Sequence, residues 1–194
     1  MIYGPPAPLP AKFAIAGEDA GGPYLRMSNE KPRAPVAVES VPWTEYAQGV
    51  RFASRARVLS DTRGADTRKI GVSVEELPPG KQSCPFHYHM LEEEHMLALE
   101  GEATLRLGEE RYAIRAGDYV CFPAGQRAGH CLINESAAPF RFVMIGDNEP
   151  NEVCVYPDSN KISVRALNRA EARAILRDGE RLDYWDGERA EEAP

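Results

Sequence analysis

The sequence predicts an all-β protein built as an antiparallel sandwich or barrel. From Val50 onward, short segments rich in Val, Ile, Leu, Tyr and Phe follow one another, and Gly, Pro, Asn and Asp cluster between them as in turns. Many short strands at close spacing are typical of such folds. The sequence has no long helical periodicity before residue 168 and no internal repeat, which predicts one barrel rather than two.

The Pro and Gly content and the alternation of apolar and polar residues predict that the chain has three parts. Residues 1–40 contain "YGPPAPLP", "GEDAGGPY" and "NEKPRAP", which break helices and central strands, so we expect an irregular arm. Residues 41–166 are the predicted β-barrel. Residues 167–194 are predicted as a short helix over "NRAEARAILRDGE" and an acidic tail. The predicted strands lie in "VRFASRARVL", "KIGVSVEEL", "HMLALEG", "EATLRLG", "RYAIRAG", "DYVCFPAG", "GHCLINES", "FRFVMIGD", "EVCVYP" and "KISVRAL".

Composition excludes several classes of protein. The 194 residues are 43% hydrophobic and 27% charged, which is a globular balance. A net charge of −7 argues against a nucleic-acid partner, which needs a basic face. No apolar run reaches the ~18 residues of a membrane helix, and the start does not resemble a signal peptide. We therefore expect a cytoplasmic protein whose four cysteines are reduced.

The stretch "CPFHYHMLEEEHMLALEG" holds three of the four histidines in the chain. Side chains alternate along a strand, so His87 and His89 face one way and form the start of a metal site. A third ligand must come from residues 92–95, and counting alone does not choose among them. In the following strand Glu94 shares a face with Met96 and Ala98, whereas His95 points away.

The same stretch resembles the first motif of the cupin superfamily. In that motif three or four residues separate His-x-His from a Glu, and six residues separate the Glu from a Gly, which here fits His87, His89, Glu94 and Gly101. The six-residue spacing to Gly101 selects Glu94 over Glu93. The resemblance implies a double-stranded β-helix, or jelly-roll barrel, with a metal inside its open end.

The second cupin motif fits "GDYVCFPAGQRAGHCLIN" with one departure. Ala128 holds the standard histidine position, and His130 comes two residues later with Asn134 at its expected spacing. A shift by two residues keeps the strand face. We expect the turn before the strand, in "GQRAG", to absorb the two extra residues, which makes His130 the fourth ligand. The positions that fit unchanged are Gly117, Pro123 and Gly125.

The resemblance implies one divalent transition metal ion per chain, bound by three imidazoles and one carboxylate. Such donors suit Fe, Mn, Ni, Co, Cu or Zn and leave positions open for a substrate. We expect Leu132 to share the apolar wall of the site with Met96 and Ala98. Glu92 and Glu93 are predicted to be solvated turn residues, with a carboxylate at the mouth of the pocket as the alternative. Cys84 is predicted to be a small core residue, with a role near the site as the alternative.

Two functions fit this prediction. The first is a metal-dependent enzyme acting on a small molecule inside the barrel, as an oxygenase, decarboxylase, isomerase or lyase. The second is a non-catalytic protein that binds or senses a small molecule or a sugar. Because barrel sheets have edges that must be covered, we also expect a homodimer in which the arm lies along the neighbouring subunit.

Overall fold

The protein consists of β-strands joined by turns. The computed structural model describes residues 34–60, 69–165 and 173–179. The chain divides into Met1–Pro35 and Val36–Pro194, and the strands among the described residues belong to the second unit. They are β1 (Thr44–Gln48), β2 (Phe52–Val58), β3 (Ile70–Leu77), β4 (Tyr88–His89), β5 (Glu94–Glu100), β6 (Glu102–Leu107), β7 (Glu110–Arg115), β8 (Tyr119–Phe122), β9 (His130–Ile133), β10 (Phe140–Asp147), β11 (Val153–Tyr156), β12 (Lys161–Arg165) and β13 (Arg173–Arg177). Single 3-10 turns lie at Val38–Ser40 and Pro157–Ser159.

The strands pair antiparallel, which confirms the predicted all-β class. Within the described ranges, one sheet has the order β1-β2-β3-β10-β5-β8, a second β13-β12-β11-β4, and a third β7-β6-β9. The short strand β4 connects two of them. It pairs with β11 along one edge, and an isolated bridge from His87 to His130 joins its start to β9. The segment that carries two of the candidate ligands is thus held from both sides.

Alternation along the strands creates one apolar interior. Large side chains from β3, β5, β6, β9 and β10 point inward and pack together, with Leu77, Met96 and Phe140 at 0% exposure. Burying each such side chain contributes roughly 1.5–3 kcal/mol. Met96, Ala98 and Leu132, which the sequence predicts as the apolar wall of the site, lie in this core.

Asn134, the asparagine of the second motif, ties the end of β9 to β3. Its side chain is fully buried, and Nδ2 donates to the carbonyls of Leu77 and Ala138, each at 2.8 Å. Its Oδ1 accepts from the backbone N–H of Ser136 at 3.0 Å. Buried polar groups need partners, and these bonds satisfy both ends of the amide. Asn134 is therefore part of the framework that positions β9.

The predicted C-terminal helix is wrong over residues 173–177. These residues form β13, which pairs with β12 in register from Arg173 opposite Arg165 to Arg177 opposite Lys161. The segment contains good helix formers, but pairing with the open edge of β12 overrides that weak preference. Residues 168–172 and 180 of the predicted helix, the acidic tail from 181 and most of the arm lie outside the described residues.

Two further sequence expectations can be compared with the structure. All four cysteines are free thiols, as predicted. Across residues 34–60, 69–165 and 173–179, no helix is long and apolar enough to cross a membrane.

Candidate metal centre

His87 and His89 project from the short β4 segment into the barrel. The backbone of His87 is paired with His130, with N–O distances of 2.7 and 3.3 Å. His89 lies opposite Cys154 of β11. Because His87 and His89 are two positions apart along the chain, both imidazoles face the same point, and their Nε2 atoms are 3.0 Å apart.

Glu94 is the first residue of β5, which lies between β10 and β8 in the sheet. It lies opposite Gly146 on β10 and Phe122 on β8. The carboxylate turns inward, and its Oε2 lies 3.3 Å from His89 Nε2 and 3.2 Å from His130 Nε2. Gly146 leaves room for this side chain, because a Cβ there would stand 3.3 Å from Glu94 Cγ.

His130 is the first residue of β9 and is only 5% exposed. Residues 123–129, which precede it, lie outside any strand, so the longer turn comes before β9 begins. The ring of Phe122 stacks on the imidazole with centroids 3.9 Å apart. Gly129 is required next to it, because a Cβ there would lie 2.6 Å from the ring of Phe86. This packing fixes where His130 points.

The structure thus brings together all four residues that the sequence singles out. One donor atom from each of His87, His89, Glu94 and His130 lies within 4.8 Å of the corresponding atom of the others. Two ligands that meet an ion at right angles with bonds of about 2.1 Å have donor atoms about 3.0 Å apart. The contacts of 3.0 to 3.3 Å match that spacing.

The hydrogen bonds of the ring nitrogens also suit a cation. His87 Nδ1 lies 2.8 Å from the carbonyl of Pro85, which can only accept, so Nδ1 carries the proton and Nε2 keeps its lone pair. His89 Nδ1 lies 3.4 Å from a carboxylate oxygen of Glu92 and 3.5 Å from one of Glu152. A proton on that nitrogen would leave the Nε2 of His89 free as well. Two lone pairs 3.0 Å apart repel unless a cation or a proton lies between them.

Neighbouring charges and burial shift the pKa values of Glu94, His87 and His89 in different directions. Burial, together with His130 and His89, lowers the pKa of His87 to about 4. Burial acts against a charge on His89 as well, but Glu92 and Glu94 outweigh it and raise the pKa of His89 to about 11. Burial likewise opposes the charge on Glu94, yet His130 and His89 hold the pKa of its carboxyl well below the usual range. The cluster therefore attracts one positive charge.

Glu152 anchors the turn between the ligands, and sequence reasoning missed it. It is 3% exposed, and its carboxylate accepts from the backbone N–H groups of Met90 at 2.9 Å, Leu91 at 3.1 Å and Glu92 at 2.7 Å. Charge-assisted bonds of this kind are stronger than neutral ones. Nothing in the pattern around residue 152 links it to a turn 60 residues earlier, so no sequence signal could have found it.

Three other residues differ from or refine the sequence expectation. Glu92 is not solvated: it is 7% exposed and accepts from Arg165 at 3.1 Å and from the backbone of Glu149. The cause is the turn that Glu152 folds inward. Cys84 touches the site, with its sulfur 3.6 Å from His87 Nδ1, and burial raises its pKa well above the usual range. Glu93 is exposed, as predicted.

Cavities approach the cluster from different sides. An inner cavity of about 230 Å³ reaches His87, Glu94 and His130 and is walled by apolar side chains. A second cavity, of about 310 Å³, reaches His87, His89 and Glu94 and has Arg165 in its wall. A third, of about 320 Å³, reaches Glu94 and is lined largely by polar groups. Small molecules can thus be accommodated beside the four donors.

Comparisons with known proteins identify the domain. Residues 73–146 match the family model described as "Cupin domain". The barrel is a cupin domain. This finding confirms the resemblance read from the two motifs. A comparison with curated proteins gave no match.

Solved structures agree with this assignment. A sugar phosphate isomerase of the cupin superfamily from Silicibacter pomeroyi is 26% identical with a TM-score of 0.66, covering 78% of this chain and 98% of that one. A protein from Acidithiobacillus ferrooxidans, provisionally assigned as a sugar phosphate isomerase, is 28% identical with a TM-score of 0.61, covering 68% and 81%. A polyketide cyclase from Streptomyces resistomycificus shares the fold alone, at 21% identity and a TM-score of 0.53, covering 72% and 89%.

Replacing Glu152 by Ala should lower the free energy of unfolding by about 2–4 kcal/mol, because backbone N–H groups of a buried turn lose their acceptor. Chemical denaturation of the metal-free protein measures this loss. Glu102→Ala, at an exposed carboxylate on β6, is the matched control and should change stability by less than about 0.5 kcal/mol. Equal stability of the two variants would contradict the anchoring role.

Proposed function

We propose that the cupin domain binds one divalent transition metal ion through His87, His89, Glu94 and His130. The observation that carries the proposal is the convergence of three imidazole nitrogens and one carboxylate oxygen. The bond from His87 Nδ1 to the carbonyl of Pro85 directs the Nε2 lone pair of His87 toward the other three donors. A set of three nitrogens and one oxygen without a thiolate suits Fe, Mn, Ni, Co, Cu or Zn.

We propose further that the site isomerises a small sugar phosphate. Two of the structures described above carry that activity in their names, at 26% and 28% identity. The cavities beside the cluster are small, and the third is lined by the polar side chains of Ser73 and Asn148, which suit a polyhydroxylated ligand. Arg165 lines two of the cavities and offers a cation to a phosphate.

Aldose–ketose isomerisation needs a group that moves a proton between neighbouring carbons, and Glu75 is suited to this role. It lies on the inner side of β3 and lines two of the cavities that also contain Glu94. Ser73 donates to its carboxylate at 2.8 Å and orients it. Burial raises the pKa of Glu75, the bond from Ser73 partly offsets this, and the charge on Glu94 raises it further. A carboxyl whose pKa is raised toward neutrality is a more effective general base.

In the proposed isomerisation the four metal ligands and Glu75 have separate roles. A divalent ion held by the four ligands would polarise the carbonyl of the bound sugar. Glu75 takes the proton from the carbon next to the carbonyl and returns it to the former carbonyl carbon. The hydroxyl proton passes from one oxygen to the other, so atoms and charge balance. Phe122, Phe142 and Met144 keep water away from the inner side of the site.

The double variant His87→Ala/His89→Ala should lose the bound metal entirely, since half of the ligands are gone. Elemental analysis after gel filtration measures the metal content, and Glu102→Gln is the control that should keep one equivalent. His130→Ala alone should weaken metal binding at least tenfold in competition with a chelator. A full equivalent of metal in the double variant would place the site elsewhere, and wild-type affinity in His130→Ala would exclude His130.

Metal affinity should rise with pH. The pKa of His89 is raised to about 11, so His89 is a cation in the metal-free site at neutral pH, whereas His87, with a pKa lowered to about 4, is neutral. Binding therefore releases one proton, and the apparent affinity should increase about tenfold per pH unit between about pH 7 and pH 9. Calorimetry in buffers of different ionisation enthalpy measures that proton. A pH-independent affinity would contradict the charge assignment.

The metal-loaded protein should interconvert an aldose phosphate and its ketose isomer, and in deuterated water the product should carry solvent deuterium. Glu75→Gln should lower kcat/KM at least about 100-fold with unchanged metal content, because the base is lost. Glu76→Gln is the matched control on the opposite strand face, where Glu76 pairs with Arg55 at 2.7 Å.

A panel of aldose and ketose phosphates with each candidate metal would decide between the functions. Turnover that survives Glu75→Gln would exclude Glu75 as the base. Saturable binding without turnover would favour the alternative of a non-catalytic binding or sensor protein. Oxygen consumption or release of carbon dioxide would instead indicate an oxygenase or a decarboxylase.

A further inference from the structure

A second group of metal-ligating side chains lies on the outer face of the same sheet. Alternation along β5 directs Glu94 inward and His95 outward. His95 lies opposite Cys121 on the neighbouring strand β8, and Glu93 immediately precedes β5. We name Glu93, His95 and Cys121 the outer cluster. It contains the only histidine of the chain that the central site does not use.

The donor atoms of the outer cluster are close together. His95 Nε2 lies 3.0 Å from Glu93 Oε1, and one donor atom from each of the three residues lies within 4.8 Å of the others. The backbone at Glu93 is fixed, because its N–H donates to the Asp147 carboxylate at 2.7 Å and its carbonyl accepts from the Asp147 N–H at 3.2 Å. His95 and Cys121 thus lie on the paired strands β5 and β8, and Glu93 lies at a residue whose backbone is fixed by hydrogen bonds.

Tyr119 orients the imidazole from the other side. Its hydroxyl lies 2.6 Å from His95 Nδ1, and the two rings stack with centroids 6.0 Å apart. Nδ1 of His95 is therefore occupied by the hydrogen bond with Tyr119. The other ring nitrogen, Nε2, faces Glu93 and is the donor atom available to a metal ion. The side chains of His95 and Glu93 are 33% and 48% exposed, so an ion from solution can reach them.

We propose that the outer cluster is a second, surface metal site that takes zinc or a similar thiophilic divalent ion through Glu93, His95 and Cys121. A thiolate, an imidazole and a carboxylate are the donors that zinc takes in proteins. The central site offers no thiolate among its four ligands, so the two sites differ in the ions they favour. With three protein ligands, at least one coordination position stays open to solvent.

Cobalt distinguishes the two sites, because only a thiolate ligand gives a sulfur-to-cobalt charge-transfer band in the near ultraviolet. Titration of the full chain with Co²⁺ should produce this band, and addition of Zn²⁺ should remove it. Cys121→Ser should abolish the band. His95→Ala should keep the thiol but weaken Co²⁺ binding at this site at least tenfold.

Two control variants separate this proposal from the central site. His87→Ala/His89→Ala should lose the central metal but keep the band. Cys84→Ser, which removes the thiol near His87, should also keep it. A band that is absent from the wild-type protein, or that persists in Cys121→Ser, would overturn the outer site whether or not the central site binds metal. Loss in Cys84→Ser with retention in Cys121→Ser would assign the thiolate to the central site instead.

Discussion

The structure around the candidate centre depends on one half-buried carboxylate, that of Glu94, surrounded by imidazoles. Glu94 contacts both His89 and His130, and each of these contacts requires its strand to be in place. Burying an unpaired carboxylate would cost several kcal/mol, so the partners must be present whenever the barrel is closed. The surrounding features serve this arrangement: Phe122 stacks on His130, and Glu152 folds the turn that joins the two ligand-bearing strands.

The same constraint connects the fold to the proposed chemistry. A site that surrounds one carboxylate with three imidazoles is suited to a divalent ion and to a substrate carbonyl beside it. Glu75 stands apart from the ligands but shares two cavities with Glu94, which places a carboxyl of raised pKa where a proton could be transferred. The strand that carries Glu94 inward carries His95 outward, so alternation alone separates the two groups of donors.

Sequence reasoning predicted what depends on local alternation and failed where distant pairing decides. The face shared by His87 and His89, and the unchanged face of His130 after its two-residue shift, both follow from strand parity. Glu92 was misjudged because its burial depends on Glu152, a residue 60 positions away. Residues 173–177 were misjudged because the open edge of β12 turns a helix-forming segment into a strand.

The most direct test of the account is anomalous diffraction from crystals grown with Mn²⁺, collected at a wavelength where manganese scatters strongly. The account predicts an anomalous peak inside the barrel, within about 2.3 Å of the three imidazole nitrogens and of the Glu94 carboxylate. A well-ordered barrel with no peak at that position, while Mn²⁺ is bound elsewhere in the same crystal, would contradict the central claim.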